Sequence, residues 1–410
     1  MVNEDMEIEK GYKQTEVGVI PEDWDVKELG IICDVRDGTH DSPKEIAFGK
    51  YLVTSKNIKK GTIDFSTAYF ISKKDFDAIN NRSLVEKGDL LFTMIGTIGD
   101  IAYINFEPDF AIKNVGLIKF KNNIIFNIFL FHWLQSKYIK KYIHFNQSKG
   151  TQGFLSLTNL RDMPVPLPCP TEQTAIATAL SDMDNLIESL ERLIEKKRNI
   201  KKGSMQELLK PKDDWEKVIL DDVIDVNRGG SPRPIQDYIT SSPNGINWIK
   251  IGDTNPINKY ITNSKEKIIL EGAQYSRKVN VGDFLLSNSM SFGRPYILKI
   301  DGCIHDGWLV LQNYQKSFDK EFLYYTLMSK YVFNQYLAKA SGTGVLNLNK
   351  ELVKTIELNK PKSLTEQNRI AEILSDMDSE IEKLEMQLSK YKMVKTAMMQ
   401  DLLTGKRRIF

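Results

Sequence analysis

Over two stretches of the chain, apolar residues recur at alternating steps of four and three. In residues 171–209 the series is Ile176, Leu180, Met183, Ile187, Leu190 and Ile194. In residues 365–403 it is Ile370, Leu374, Met377, Ile381, Leu384 and Leu388, running on through Tyr391, Val394, Met398 and Leu402. This is the heptad seam of a coiled coil, and it predicts two helices, each roughly 58 Å long at the standard rise per residue. Thr171 and Thr365, each after a proline-bearing stretch, are expected as N-caps, with Pro211 and Gly405 as stops. A rod of this length cannot bury its seam alone. The seam residues are therefore expected to pair the two helices with each other, antiparallel, in a pseudo-twofold arrangement within one chain.

The rest of the chain reads differently. Short β-branched and aromatic runs such as GKYLVTSKNI, KGDLLFTMIG, NWIKIGD and VGDFLLSNS are broken by Gly, Asn and Asp and predict strands, with an amphipathic helix near 126–144 and another near 320–339. The fold class expected is α+β: two similar domains of about 150 residues, each followed by one of the long helices.

The two halves repeat each other. Aligned without a gap, 171–209 and 365–403 are identical at 20 of 39 positions, including all of TEQ and LSDMD, where chance would give roughly two or three. The domains repeat more faintly. Trp24 answers Trp215, Gly88-Asp89 answers Gly282-Asp283, and FLFHWLQSKY answers FLYYTLMSKY. The copies stay alike where geometry has to match and diverge where specificity could differ.

Composition narrows the class. The net charge of +2 neither suggests nor excludes a nucleic-acid partner, since binding depends on local clustering. Cys33, Cys169 and Cys303 lie far apart, and the four histidines are scattered, so neither a disulfide framework nor metal-ligand spacing is expected. No apolar stretch is long enough to cross a bilayer and the first ten residues are acidic, which leads to the expectation of a cytoplasmic protein with no membrane partner.

Candidate DNA-contacting residues sit in polar, glycine-bearing loops. In the first domain they are Arg36, Asp37, Thr39, His40, Lys56, Asn57, Thr97, Lys149, Thr151 and Gln152; in the second, Arg228, Ser231, Arg233, Lys250, Asp253, Asn288, Ser289, Arg294, Ser341 and Thr343. Arg and Lys suit guanine edges and phosphates, Asn and Gln suit adenine, and Asp suits the cytosine amino group. Such loops are also ordinary solvated turns. Catalytic signatures are missing: no NPPF-type tetrapeptide (Asn255-Pro256-Ile257 is the nearest), no GxGxxG opening a helix, no phosphate loop and no nucleophile elbow. His305-Asp306-Gly307 reads better as a turn than as a catalytic histidine.

GYKQTEVGVIPEDW at 11–24, DGTHDSP at 37–43, the PLP–TEQ–IA–LSDMD series at 166–187, GTGVLNLN at 342–349, the second TEQ series and LLTGKRR at 402–408 together resemble the specificity subunit of type I restriction-modification systems, over essentially the whole chain. The second copy departs with Asn359-Lys360-Pro361 in place of Pro166-Leu167-Pro168, and NRGGSPRP in place of DGTH. The resemblance implies an N-terminal arm at 1–20, target recognition domains at 21–164 and 211–360, and conserved spacer helices at 165–210 and 361–410. Each domain would read one half of an asymmetric, bipartite double-stranded DNA target. The helices would set the spacing and dock two modification (methyltransferase) subunits, with restriction (motor-nuclease) subunits completing the complex. S-adenosylmethionine, Mg2+ and ATP would belong to those partners, leaving this chain non-catalytic and without a cofactor or metal. A specificity subunit for a fused nuclease-methyltransferase, a nuclease with an unfamiliar site and a coiled-coil protein scaffold remain open alternatives at this point.

Overall fold

Two unbroken helices, Pro170–Leu208 and Leu364–Leu402, carry the heptad stretches in the computed structural model. The structure describes residues 8–120, 124–148, 153–255, 258–288, 292–340 and 348–409. Each helix begins one residue before its expected cap. Pro170 takes the first position, where its missing N–H costs nothing. Before the second helix, the Ser363 hydroxyl accepts from the Thr365 amide at 3.2 Å. Thr171 and Thr365 therefore lie in the first turn and do not cap it.

The chain divides into two compact units, Met1–Glu191 with Gln387–Phe410, and Arg192–Met386, so that both helices contribute to each unit. In the first unit Lys395 pairs with Asp184, and Lys392 with Glu191 at 2.6 Å. In the second, Lys201 pairs with Asp378, Lys197 with Glu380 at 2.6 Å and Arg198 with Glu385 at 2.5 Å. From Asp184–Lys395 to Glu191–Lys392, and from Lys197–Glu380 to Lys201–Asp378, one residue number falls as the other rises, so the helix segments run antiparallel. The repeat offset, added to Asp184 and subtracted from Lys395, gives Asp378 and Lys201, so both units are built on the same contact.

The first unit holds a four-stranded sheet, in the order Ile101–Tyr103, Leu90–Thr93, Val115–Phe120, Cys33–Asp37, and a three-stranded sheet, Phe110–Lys113, Lys50–Thr54, Tyr69–Ile71. The second holds two five-stranded sheets, one centred on Phe284–Ser287 and one on Ile246–Ile249. All four residues of Leu90–Thr93 and of Phe284–Ser287 are buried, which explains why these strands are apolar on successive positions and do not alternate. In the first unit Val53, Ile112 and Leu117 fill the layer between sheets, and Trp24, Phe129, Trp133 and Ile139 fill the layer under the helices Asn127–Leu134 and Lys137–Asn146. Each such side chain contributes roughly 1.5–3 kcal/mol by leaving water.

Some of the seam is used differently from the expectation. Ile176, Ala177 and Leu180 enter the first domain's core beside Leu402 and Leu403, and Ile370, Ala371 and Leu374 enter the second's beside Met205, Leu208 and Leu209. The opening turns of each helix thus bury their apolar stripe against their own domain and the far end of the other helix together. Beyond them Leu190, Ile194 and Ile381 are buried, while Met183, Ile187, Met377, Leu384 and Leu388 are half-buried.

The segment expected as an arm is part of the first unit. Tyr12–Thr15 pairs with Gly18–Pro21 as a hairpin, and Val17 and Ile20 lie in the core. It meets the other end of the chain. The Tyr12 hydroxyl donates to the Gly405 carbonyl at 3.1 Å, and the Arg408 guanidinium binds Asp23 and the buried Glu172. In the second unit the corresponding ends are joined covalently through Lys210–Asp214, just before Trp215.

Candidate nucleic-acid interface

Strand register brings a set of loops to one end of each unit. In the first, Asp37 pairs with Gly116 and Thr93 with Val115, so the loops after Cys33–Asp37 and Leu90–Thr93 adjoin the turn before Val115–Phe120. In the second, Arg228 pairs with Leu309 and Ser287 with Trp308, which gathers the equivalent loops. The connections are tight. Asn114, alone between two strands of different sheets, adopts φ +53°, a left-handed conformation that Asn tolerates better than most residues. A Cβ on Gly38 would lie 2.4 Å from the Ile112 carbonyl oxygen, and one on Gly229 would lie 2.0 Å from that of His305. Both positions need glycine because backbone passes against backbone.

In the first unit's loops, buried Asp37 accepts from His40 Nε2 at 2.8 Å and from Arg82, while His40 Nδ1 lies 2.8 Å from Asn114 Oδ1. Contacts with Asn114 and Asp37 raise the His40 pKa above its ordinary 6.5, so the ring holds its proton more readily. Arg36 binds Asp34 at 2.6 Å and donates to the Arg82 carbonyl at 2.9 Å; its own proton is held more tightly by the Asp34 carboxylate. The Thr39 hydroxyl accepts from the Asp41 amide. The result is a patch in which two guanidinium groups and the His40 ring are clamped on two carboxylates, Asp34 and Asp37.

The second unit builds the same place from other chemistry. Arg228 Nε donates to the Asp306 carbonyl at 3.1 Å, Ser231 to Asp306 Oδ1 at 3.0 Å, and Arg233, mostly exposed, lies 3.5 Å from Oδ2. Asn288 Nδ2 donates to the Asp306 carbonyl at 3.2 Å. Burial alone would raise the Asp306 pKa, but the Ser231 hydroxyl and the nearby positive groups bring it below the usual value. Arg294 lies with its guanidinium carbon 5.5 Å from the Tyr296 ring centre.

The remaining candidates separate. Lys56 and Thr97 are exposed on their turns. Asn57 is buried, and its amide accepts from Thr54 N at 2.8 Å and donates to Asp64 O and Thr67 Oγ1, both at 3.1 Å. Asp253 does the same job in the second unit, accepting from Lys250 N at 2.8 Å. Both staple the turn that ends a strand: Asn57 is buried there with its amide engaged on both sides, while Asp253 is half-buried and also accepts from the Lys265 amide at 3.3 Å. The Lys250 side chain pairs with Glu266. Lys149, Thr151, Gln152, Ser289, Ser341 and Thr343 lie outside the described residues. Sequence reasoning missed Arg82, Asn114 and Asp306. FAIKNVGLIKF reads as a single strand, which hides Asn114, and Arg82 is an ordinary residue at the end of a surface helix.

The family model for the type I restriction modification DNA specificity domain matches this chain twice, at residues 21–197 and 212–389. The chain belongs to that family. It is a DNA-specificity subunit of the type I restriction-modification kind, and one that assembles with other subunits of such a system. The type I restriction enzyme MjaVIII specificity subunit of Methanocaldococcus jannaschii is 26% identical over 98% of this chain and 97% of its own. The fold is shared with the S subunit of a type I system from M. genitalium, at 15% identity and TM-score 0.58 over 93% and 96% of the two chains. It is shared too with a chain from a structure concerning complex assembly of a type I system, at 17% identity and TM-score 0.60 over 95% and 99%. Among the described residues, no helix is long and apolar enough to cross a membrane, and no cluster of His, Cys, Asp and Glu has the makings of a metal site.

Proposed function

We propose that the loop end of each unit reads one half of a bipartite, asymmetric double-stranded DNA target, with recognition domains at 21–164 and 211–360 and spacer helices at 165–210 and 361–410. The observation that carries this reading is one loop architecture built twice with different side chains: His40, Asp37, Arg82 and Asn114 in one, Arg228, Ser231, Arg233 and Asp306 in the other. Like scaffolds with unlike donor sets give two unlike half-sites, since base-edge contacts specify and phosphate contacts only position. The contacting residues proposed are Arg36, Thr39, His40, Lys56, Arg82, Thr97, Arg228, Ser231, Arg233 and Arg294, together with Lys149, Thr151, Gln152, Ser289, Ser341 and Thr343.

Two weak readers on one frame raise each other's effective concentration, which suits a chain of near-neutral charge. The chain itself is non-catalytic and cytoplasmic in this reading. Two modification subunits dock on the helices, restriction subunits join them, and S-adenosylmethionine, Mg2+ and ATP are bound by those partners. Exchanging residues 24–160 for another family member's domain and sequencing the DNA methylated by the reconstituted complex tests it. One half of the methylated sequence should change and the other stay; a change in both would contradict the modular reading.

A further inference from the structure

LSDMD is identical in both long helices, and DNA reading by the loops gives it no task. The structure supplies one. In the first unit His132, buried on the helix Asn127–Leu134, places Nε2 3.1 Å from Ser181 Oγ and Nδ1 3.9 Å from Asp184 Oδ2, and Asp184 is also held by Lys395 of the other long helix. In the second unit Tyr325 takes the place of His132. Its hydroxyl lies 3.2 Å from Ser375 Oγ and donates to Asp378 Oδ2 at 2.6 Å, and Lys201 binds Asp378 from the other helix. Ser181, Asp184 and Lys395 map onto Ser375, Asp378 and Lys201 by the offset that aligns the repeats, and the domain residue is a ring with polar atoms both times. A merely structural contact between apolar surfaces would not need this arrangement twice.

We infer that the Ser and second Asp of LSDMD, with the Lys of the facing helix, form a latch that fixes the angle at which each recognition domain stands on its helix pair, and so fixes the spacing at which its half-site is read. Ser181, Asp184, His132 and Lys395 are positioning residues for the first domain; Ser375, Asp378, Tyr325 and Lys201 for the second. The carboxylate suits this task because it can face two sides at once: Asp378 accepts from Tyr325 and pairs with Lys201, and Asp184 pairs with Lys395 while the His132 ring lies 3.9 Å away. Losing the latch leaves the loops and their base contacts intact and lets the domain pivot. This inference rests on the reading that the two domains read two half-sites.

The test uses the complete chain reconstituted with its methyltransferase subunits, assayed for methylation on DNA carrying the target with its own spacer, with spacers one base pair shorter and longer, and with single-base changes in each half. Asp184→Asn should lose about tenfold in discrimination against the wrong spacers, as expected for one charged hydrogen bond, while rejection of wrong bases stays as in wild type. His132→Tyr, which installs the other unit's residue, should keep spacer discrimination. His132→Phe fills the same space without the polar contacts and should lose it, which gives the same test if Asp184→Asn fails to fold. Unchanged spacer discrimination in both Asp184→Asn and His132→Phe would overturn the latch alone. A wild-type complex that methylates with no bipartite preference would overturn the underlying reading.

Discussion

The meeting of the chain ends allows a quantitative test. Glu172, in the first turn of the first long helix, has a side chain with no exposure to solvent; its carboxylate accepts from Trp24 Nε1 at 3.0 Å and from Arg408 Nε and Nη2 at 2.9 and 2.7 Å. Arg408 also reaches Asp23 at 2.8 and 2.9 Å, and the acid pair holds its proton well above the usual arginine range. Removing Arg408 strands a buried carboxylate on one neutral donor. Breaking a fully buried pair in this way costs roughly 3–5 kcal/mol. The Arg408 side chain is 34% exposed, so solvent and salt screen part of the interaction, and about 2 kcal/mol is the better expectation for Arg408→Ala. Glu172→Gln keeps an acceptor for Trp24 and loses the charge, for about 1–2 kcal/mol. Because the two changes remove one interaction, the double variant should cost less than the sum, with a coupling of about 1 kcal/mol or more. Urea unfolding of the full chain, followed by tryptophan fluorescence, measures all three variants; Trp24 reports directly on the contact. The counterpart Lys212, at 2.9 Å from Glu366, is more exposed, and Lys212→Ala should cost under about 1 kcal/mol. An Arg408→Ala protein as stable as wild type, or strictly additive variants, would refute the reasoning.

Other expectations concern single groups. Burial holds the His132 pKa near 4 against an ordinary 6.5, so the unfolded chain takes up the proton first. Stability should therefore fall as pH drops from 6.5 to 4 and level off below, by at most about 3 kcal/mol, and His132→Phe should lack this part of the slope in urea midpoints measured across the range. His40 has the opposite sign. Its pKa is raised, so its pairing with Asp37 is fully present below about 6.5 and is lost as pH rises through the folded value, which NMR titration of the imidazole would show as a midpoint above 6.5 that Asn114→Ala lowers. Asn57→Ala and Asp253→Ala should each destabilise by about 1–2 kcal/mol in thermal melts yet leave the methylated sequence unchanged. Arg82→Ala should cost under about 1 kcal/mol of stability, since Asp37 keeps His40 and Arg82 is mostly exposed, and should weaken DNA binding by the complex, with the log–log salt slope reduced by about one if the contact is to phosphate; an unaltered affinity and slope would remove Arg82 from the interface.

Periodicity alone determined the two long helices, because a heptad pattern carried over many turns leaves no other regular structure able to bury it, and the ungapped repeat determined that the chain is built twice. The strands were legible where a short apolar run ended in Gly or Asn. Local pattern could not reveal what each helix end packs against. Ile176 and Ile370 look like seam residues, yet they are also core residues of their own domains, since burial depends on what the fold brings to a surface. The same holds for the candidate interface. His40 and Arg228 were visible as loop residues, but Asn57 and Asp253 looked identical in kind and prove to be turn staples. Strand register, which sets Asp37 against Gly116 and Arg228 against Leu309, decided that Asn114 and Asp306 complete the two loop clusters, and the packing of the helix Lys73–Ser83 brought Arg82 to Asp37. A polar side chain in a sequence carries its donors and acceptors with it, but whether they are spent inside the protein or left for a ligand is a property of three-dimensional neighbours.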